Sequence, residues 1–159
     1  MKSNHNAGPP VHGDAMQATP SLLTPFKLRD VELSNRIVIS PLQEYAAGPD
    51  GMAGDFHLTH LGRFALGGAG LVFTEALAVS PEGRLTYSDL GIWQDEHVEP
   101  LKRVAGFLSK HGAVPGAQIL HAGRKAAVQR PWHGYEPLNE DDAHAQALKS
   151  SMFMRRTAI

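Results

Sequence analysis

Side chains that could hold a planar organic ligand follow three apolar segments of the sequence, in residues 40–45, 74–76 and 118–125. Together they contain a neutral amide at Gln118, a small residue, a phenol at Tyr45 and two adjacent cations. An amide both donates and accepts hydrogen bonds, so it can match a heterocycle edge that carries both kinds of group. No carboxylate pair is flanked by a histidine, and no group of residues has the spacing of a metal site. The set therefore favours a polar, planar ligand with an anionic tail.

Other reactive patterns in the sequence are weaker. His57 and His60 are three residues apart on a predicted helix, but a zinc site needs further ligands, and histidines at a surface or a helix end are the favoured interpretation. Glycines at 67, 68 and 70 precede a strand, whereas the dinucleotide fingerprint links a strand to a helix. Gly-X-Ser-X-Gly is absent, so a nucleophile elbow is not indicated.

Composition excludes several functional classes. The 159 residues include 15 Lys and Arg against 16 Asp and Glu, which gives a net charge of −1 and no basic field for nucleic acid. Cysteine is absent, which excludes disulfides, thiolate metal sites and a cysteine nucleophile within this chain. No apolar run approaches the roughly 20 residues of a membrane-spanning helix. Residues 1–20 predict a disordered leader without a secretory signal, so we expect a cytoplasmic location.

The elements that must position these side chains alternate between strand and helix. The pattern predicts a hairpin over 26–28 and 31–33, then buried strands at 37–39, 71–73 and 114–120. Glu75-Ala76 is predicted to close the second of these strands. Helices are predicted between the strands, with the capping residues Asp55 and Asp95 and the stop signals Gly67-Gly68 and Gly112. This order indicates a parallel α/β sheet or barrel, in which chemistry lies at the carboxyl ends of the strands.

Four ordered motifs in the body of the chain resemble one family. The segments NRIVISPLQEY, GGAGLVFTEALAVSPEGR, LGIWQDEH and AQILHAGRKA are similar to the flavin-dependent Old Yellow Enzyme family, with the closest likeness to its bacterial ene-reductase and xenobiotic-reductase branch. The resemblance implies a TIM (β/α)₈ barrel, tightly held FMN and NAD(P)H as reductant. It also implies hydride transfer through FMN to an enone or another electrophilic small molecule, and many relatives form homo-oligomers.

The resemblance also implies roles for particular residues. Pro41 and Leu42 match the backbone that lies along the flavin, Ala76 matches the small residue beside its pyrimidine edge, and Gln118 matches the amide that bonds that edge. Without the family resemblance, the simpler interpretation is that Gln118 is an amide within the core and that Ala76 only contributes to packing.

Two further residues are implied at the substrate mouth and one departs from the family pattern. Tyr45 matches a tyrosine that contacts the acceptor, although a surface phenol is the simpler reading, and Arg124 falls in the loop near the site. Gln43 stands where the closest branch often has a cysteine that tunes the flavin potential. Gln43 can bond a flavin carbonyl but cannot act as a thiol. No catalytic residue and no metal ligand is identified in this segment.

The length leaves two hypotheses open. A (β/α)₈ barrel needs about 250 residues, so residues 21–135 predict only its amino-terminal part, with the hairpin and three to four β/α units. Residues 136–159 predict a divergent or truncated tail. The chain is then either a segment of an FMN-dependent ene-reductase, or a non-catalytic remnant or partner-dependent subunit of one. Such an open barrel would expose strand edges and part of its core.

Overall fold

A computed structural model describes residues 21–139 as a small parallel sheet covered by two helices and preceded by a hairpin. The predicted leader, and the predicted tail beyond residue 139, lie outside these described residues. The elements in chain order are β1 (Phe26–Leu28), β2 (Val31–Leu33), β3 (Val38–Ile39), α1 (Asp55–Leu66), β4 (Leu71–Ala78), α2 (Val98–Lys110) and β5 (Val114–Leu120).

The strands form two sheets. β1 and β2 pair antiparallel with Phe26 opposite Leu33, which confirms the predicted hairpin. β3, β4 and β5 are parallel in that order, with β4 in the centre. β4 was predicted to close at Glu75-Ala76, but it continues to Ala78. Its last three residues pair with the end of β5, and Ala78 also bonds the segment around Leu90.

Both predicted helix caps are wrong, for related reasons. The α1 cap is Gly54, whose N–H donates to the His57 ring at 3.0 Å, while Asp55 is the first helical residue and pairs with Arg103 of α2 at 2.7 Å. Asp95 begins a short 3₁₀ turn, and α2 begins after it at Val98. In both cases the residue that precedes the helix is not the aspartate, and neither cap residue makes a side-chain capping bond.

The main hydrophobic core lies between β4 and the two helices. Leu61 and Ala65 of α1, Val72 of β4, and Val104 and Leu108 of α2 are all at most 6% exposed. Burying a side chain of the size of Val or Leu contributes about 1.5–3 kcal/mol. These contacts hold the helices on one face of the sheet, so that the loops after the strands gather at one edge.

The described residues form an open α/β unit with no closed barrel. They contain the hairpin, two complete β/α units and a third strand, fewer than the three to four units predicted. β3 and β5 are the outer strands, and Leu42 and Ile119 are 71% and 59% exposed. This exposure agrees with the expectation for an open barrel. Within residues 21–139, no helix combines the length and the apolar character that a bilayer crossing requires.

Candidate functional site

The three predicted groups of polar residues lie at the carboxyl edge of the parallel sheet. Ala76 of β4 and Gln118 of β5 are direct partners in register. The loop after β3 is tied to the same edge, because the Glu44 N–H donates to the Glu75 carboxylate at 3.2 Å. The tips of all three strands therefore adjoin one another, as the sequence predicts.

The pair Ala76 and Gln118 combines a small wall with an accessible amide. Ala76 is 6% exposed, whereas the Gln118 side chain is exposed. The reading of Gln118 as a core amide is therefore wrong. The register between β4 and β5 shifts between Phe73 and Ala76, which marks a β-bulge immediately before the pair. Bulges of this kind re-aim side chains next to functional sites.

The loop after β3 presents mixed chemistry at the same edge. Pro41 is half-buried and Leu42 is exposed. The side-chain nitrogen of Gln43 is buried and has no hydrogen-bond partner among the described residues. Such a donor is costly to bury, by about 1–3 kcal/mol, unless a further group accepts from it. Gln43 therefore marks a position at which a ligand carbonyl would be favourable.

Tyr45 lies within this loop in a strained and half-buried position. Its φ of 55° lies in the left-handed region that favours glycine. Burial raises the pKa of the Tyr45 phenol, and Tyr135, Asp89 and Glu75 act in the same direction. The phenol therefore keeps its proton at neutral pH and can donate a hydrogen bond. The half-buried side chain is not a simple surface phenol.

A flap that the sequence analysis missed covers Tyr45. In this flap (residues 126–138), the Gln129 N–H donates to the Glu136 carbonyl at 2.8 Å and the Leu138 N–H donates to the Ala127 carbonyl at 2.9 Å. Its turn carries Trp132, whose ring meets the Tyr45 ring edge-on with centroids 5.8 Å apart. The dipeptide Pro131-Trp132 is the signal that could have suggested an aromatic turn.

Arg130 and Arg124 differ sharply in their surroundings. The Arg130 guanidinium lies 5.0 Å from the Tyr87 ring centre and 5.2 Å from that of Trp132, so it packs between two aromatic rings. Arg124 lies in the 3₁₀ turn Gly123–Lys125 after β5 and its side chain is exposed. Within residues 21–139, no ion pair joins Arg124 to the other strand tips. Its predicted role therefore stays a prediction.

Two carboxylate–histidine pairs lie beneath the loop after β3. His57 Nε2 is 3.2 Å from Glu75 Oε1, and His60 Nε2 is 2.9 Å from Glu44 Oε1. His57 and Glu75 are 3% and 2% exposed, so His57 is not a surface histidine. It lies in the first turn of α1, which agrees with the other alternative, a histidine at a helix end. A polar contact to a carboxylate on β4 explains why this ring is buried. Among the described residues, no group of three or more His, Asp or Glu side chains could hold a metal ion.

Buried Arg84 organises the long loop after β4. Its guanidinium donates to the carbonyls of Pro49, Pro81 and Tyr87 at 2.9, 3.2 and 3.2 Å. Burial lowers the pKa of Arg84, while the nearby Asp89 acts in the opposite direction. Arg84 thus fastens the β4 loop to the β3 loop behind the site, a role that residue type alone does not suggest.

The fold and the paired strand tips define a parallel α/β unit that gathers ligand-binding groups at the carboxyl edge of its sheet. The sequence profile of the NADH:flavin oxidoreductase / NADH oxidase family matches residues 21–156. The chain belongs to this family, whose cofactor is FMN and whose reductant is NAD(P)H.

Bacterial and fungal relatives agree with the family match. The chain is 47% identical over 108 residues to an NADPH dehydrogenase of Bacillus cytotoxicus, covering 67% of this chain and 31% of the relative. It is 50% identical over 108 residues to an NADPH dehydrogenase of Listeria monocytogenes, with 67% and 32% coverage. An NADH:flavin oxidoreductase of Gibberella zeae is 42% identical over 123 residues, with 77% and 30% coverage. The chain thus spans about a third of the length of these relatives.

Solved structures show the same fold over a similar share. Old Yellow Enzyme from Pichia sp. matches with a TM-score of 0.64 and 30% identity, over 67% of this chain and 28% of that one. Morphinone reductase matches with a TM-score of 0.62 and 32% identity, over 67% and 28%. These neighbours are TIM barrels, so residues 21–139 correspond to a fragment of a barrel.

The residues at the sheet edge fit FMN. The flavin edge carries both donors and acceptors, and the exposed amide of Gln118 can meet both. The buried nitrogen of Gln43 has no acceptor among the described residues and could donate to a flavin carbonyl. Ala76 adds no atoms beyond its Cβ, which leaves room for a ring beside the amide.

Proposed function

We propose that residues 21–139 form part of the cofactor site of an FMN-dependent NAD(P)H oxidoreductase of the ene-reductase type. The observation that carries this proposal is the pairing of Ala76 with Gln118 at the sheet edge, beside a loop that holds the buried amide nitrogen of Gln43. Two amides and one small side chain at adjoining strand tips suit a flat heterocycle and suit no metal ion.

In this proposal each residue has a defined task. Gln118 bonds the pyrimidine edge of the flavin and Ala76 leaves space beside it. The backbone of Pro41 and Leu42 lies along the ring, and Gln43 donates to a flavin carbonyl. These side chains hold and orient the cofactor, which is the contribution that proteins make to flavin chemistry.

Bound FMN would supply hydride chemistry, taking a hydride from NAD(P)H and delivering it to the β-carbon of an activated alkene. The residues of this chain would orient the acceptor. Tyr45 keeps its phenolic proton, because burial raises its pKa, and can donate that proton in a hydrogen bond to an electron-withdrawing carbonyl of the acceptor. Arg124 is proposed to lie near an anionic part of the ligands. An enone is the acceptor class that this arrangement suits.

A second candidate function is that of a subunit that works only with a partner. The exposed outer strands and the coverage of about a third of the relatives support it. Unpaired strand edges readily take up further strands. The partner would be a polypeptide that supplies the neighbouring strands and the rest of the site.

A flavin titration of the purified chain tests the proposal. Addition of FMN should quench free flavin fluorescence in a saturable way and should yield a yellow protein after gel filtration. NADPH or NADH should then bleach the visible flavin band, and an enone should restore it. A saturable yellow complex that neither reductant bleaches would favour the partner-dependent subunit. A colourless protein that FMN does not reconstitute refutes cofactor binding by this chain alone.

A further inference from the structure

Glu75 is a buried carboxylate whose two oxygens face different elements of the structure. Oε1 lies 3.2 Å from Nε2 of His57 in α1, and Oε2 accepts the Glu44 N–H of the β3 loop. The residue is only 2% exposed. Because removing a carboxylate from water costs several kcal/mol unless it is paired, both contacts matter to its position.

The hydrogen bonds of His57 determine its protonation pattern. The Gly54 N–H donates to Nδ1 at 3.0 Å, so Nδ1 carries no proton. The ring proton is therefore on Nε2, which faces Glu75. The contact of 3.2 Å between Nε2 and Glu75 Oε1 is a charge–dipole or ion-pair contact, since neither atom has a partner of hydrogen-bond geometry among the described residues. His57 thus joins the start of α1 to the carboxylate that supports the β3 loop.

The β3 loop is held at Glu44 by both backbone and side chain. Its N–H donates to Glu75 and its carboxylate lies 2.9 Å from His60 Nε2. Gln43 precedes this anchor and Tyr45 follows it. Tyr45 holds a left-handed φ of 55°, a conformation that costs about 1–3 kcal/mol and persists only where neighbouring contacts impose it.

We infer that Glu75, oriented by His57, is a positioning residue for the β3 loop, and that its bond to the Glu44 N–H sets the places of Gln43 and Tyr45 at the ligand edge. This inference rests on the proposed function, because the loop matters only if it meets the cofactor. If Glu75 only connected β4 to α1, its contact with His57 would be sufficient. The bond to the Glu44 backbone is the observation that gives Glu75 its role in the site.

Amide hydrogen exchange of the full chain measures this bond without any ligand. In the unaltered protein the Glu44 amide should exchange at least about tenfold more slowly than the Ala46 amide, which has no acceptor among the described residues. Equal exchange of the two amides overturns the inference. This comparison decides even if a variant fails to fold.

Substitution of Glu75 then tests whether its carboxylate causes the slow exchange of the Glu44 amide. Glu75→Met keeps the unbranched length and removes both acceptors, so the Glu44 amide should exchange as fast as that of Ala46. Glu75→Gln keeps one acceptor oxygen and should give partial rescue. Glu99→Gln, which alters an exposed ion pair on α2, is the matched control and should change neither amide. A folded Glu75→Met protein with an unchanged Glu44 amide overturns the inference.

FMN titration separates this inference from the proposed function. If the unaltered chain binds FMN, Glu75→Met should weaken binding about tenfold and shift the visible flavin band. The control Glu99→Gln should change neither the affinity nor the band. Unchanged affinity and band position, together with faster Glu44 exchange, would refute a role in the cofactor site. If the unaltered chain binds no FMN, the proposed function fails, and the exchange measurements alone decide whether Glu75 positions the loop.

Discussion

Truncation of Gln118 to alanine should weaken FMN binding strongly while leaving the fold intact. The Gln118 side chain is exposed at the end of β5, so its removal deletes no core contact. It lies opposite Ala76, where the cofactor edge is proposed. Losing one or two hydrogen bonds to a ligand costs about 1–3 kcal/mol. Since about 1.4 kcal/mol corresponds to a factor of ten, the Kd should rise about 5- to 140-fold.

Equilibrium quenching of flavin fluorescence measures this change. Gln94→Ala is the matched control, because Gln94 is an exposed glutamine whose side chain makes no capping bond. Gln94→Ala should bind FMN within about twofold of the unaltered chain, and both variants should unfold at its midpoint. If Gln118→Ala and Gln94→Ala bound FMN equally tightly, the placement of the cofactor against β5 would be refuted.

Three further predictions concern stability. Leu108 is 1% exposed, so Leu108→Ala should lower the free energy of unfolding, measured in urea, by about 2–5 kcal/mol. Leu66 is 64% exposed, so Leu66→Ala should lower it little. Equal losses in the two variants would contradict the described core. Arg84→Ala removes a buried side-chain donor from the carbonyls of Pro49, Pro81 and Tyr87, so it should lower the thermal midpoint clearly, whereas Arg103→Ala at the surface should not. The raised pKa of Tyr45 means that the folded state holds this proton more tightly than the unfolded state. The stability that the protonated Tyr45 phenol contributes is complete below the ordinary tyrosine pKa of 10.0. It is lost as the pH rises through the higher pKa of Tyr45 in the folded state. Tyr45→Phe should therefore lose less stability above pH 10 than the unaltered chain, and identical pH profiles would contradict the shift.

Local pattern was sufficient for the hairpin, the alternation of parallel strands with helices, and the sheet edge at which the candidate residues lie. The alternation of β1 and β2 and the apolar run of β5 depend on neighbours in sequence, so they can be recognised from the sequence alone. These features depend little on distant contacts.

Features that depend on distant contacts could not be predicted in this way. Asp55 is of a residue type that often caps helices, but Gly54 is the cap residue of α1 and its N–H donates to the His57 ring, while Asp55 accepts from Arg103 of α2. Arg84 is of a residue type that is usually exposed, and only carbonyls from two separate loops explain its burial. The flap that carries Trp132 has no periodic pattern, and its first residues are held from a distance, because the Ala127 and Val128 N–H groups donate to the carbonyls of Arg84 and Leu85.

The bulge in β4 decides which side chain neighbours Gln118. Phe73 pairs with Gly116, and an uninterrupted register would continue with residue 74 opposite 117 and Glu75 opposite Gln118. The additional residue in β4 shifts the register between β4 and β5 by one residue, so that Ala76 lies opposite Gln118. A ligand bound at this edge, as proposed, would consequently meet the methyl group of Ala76 where it would otherwise meet the carboxylate of Glu75. Insertion or loss of a single residue within one strand is thus enough to place or remove a negative charge beside Gln118, with no side chain substituted.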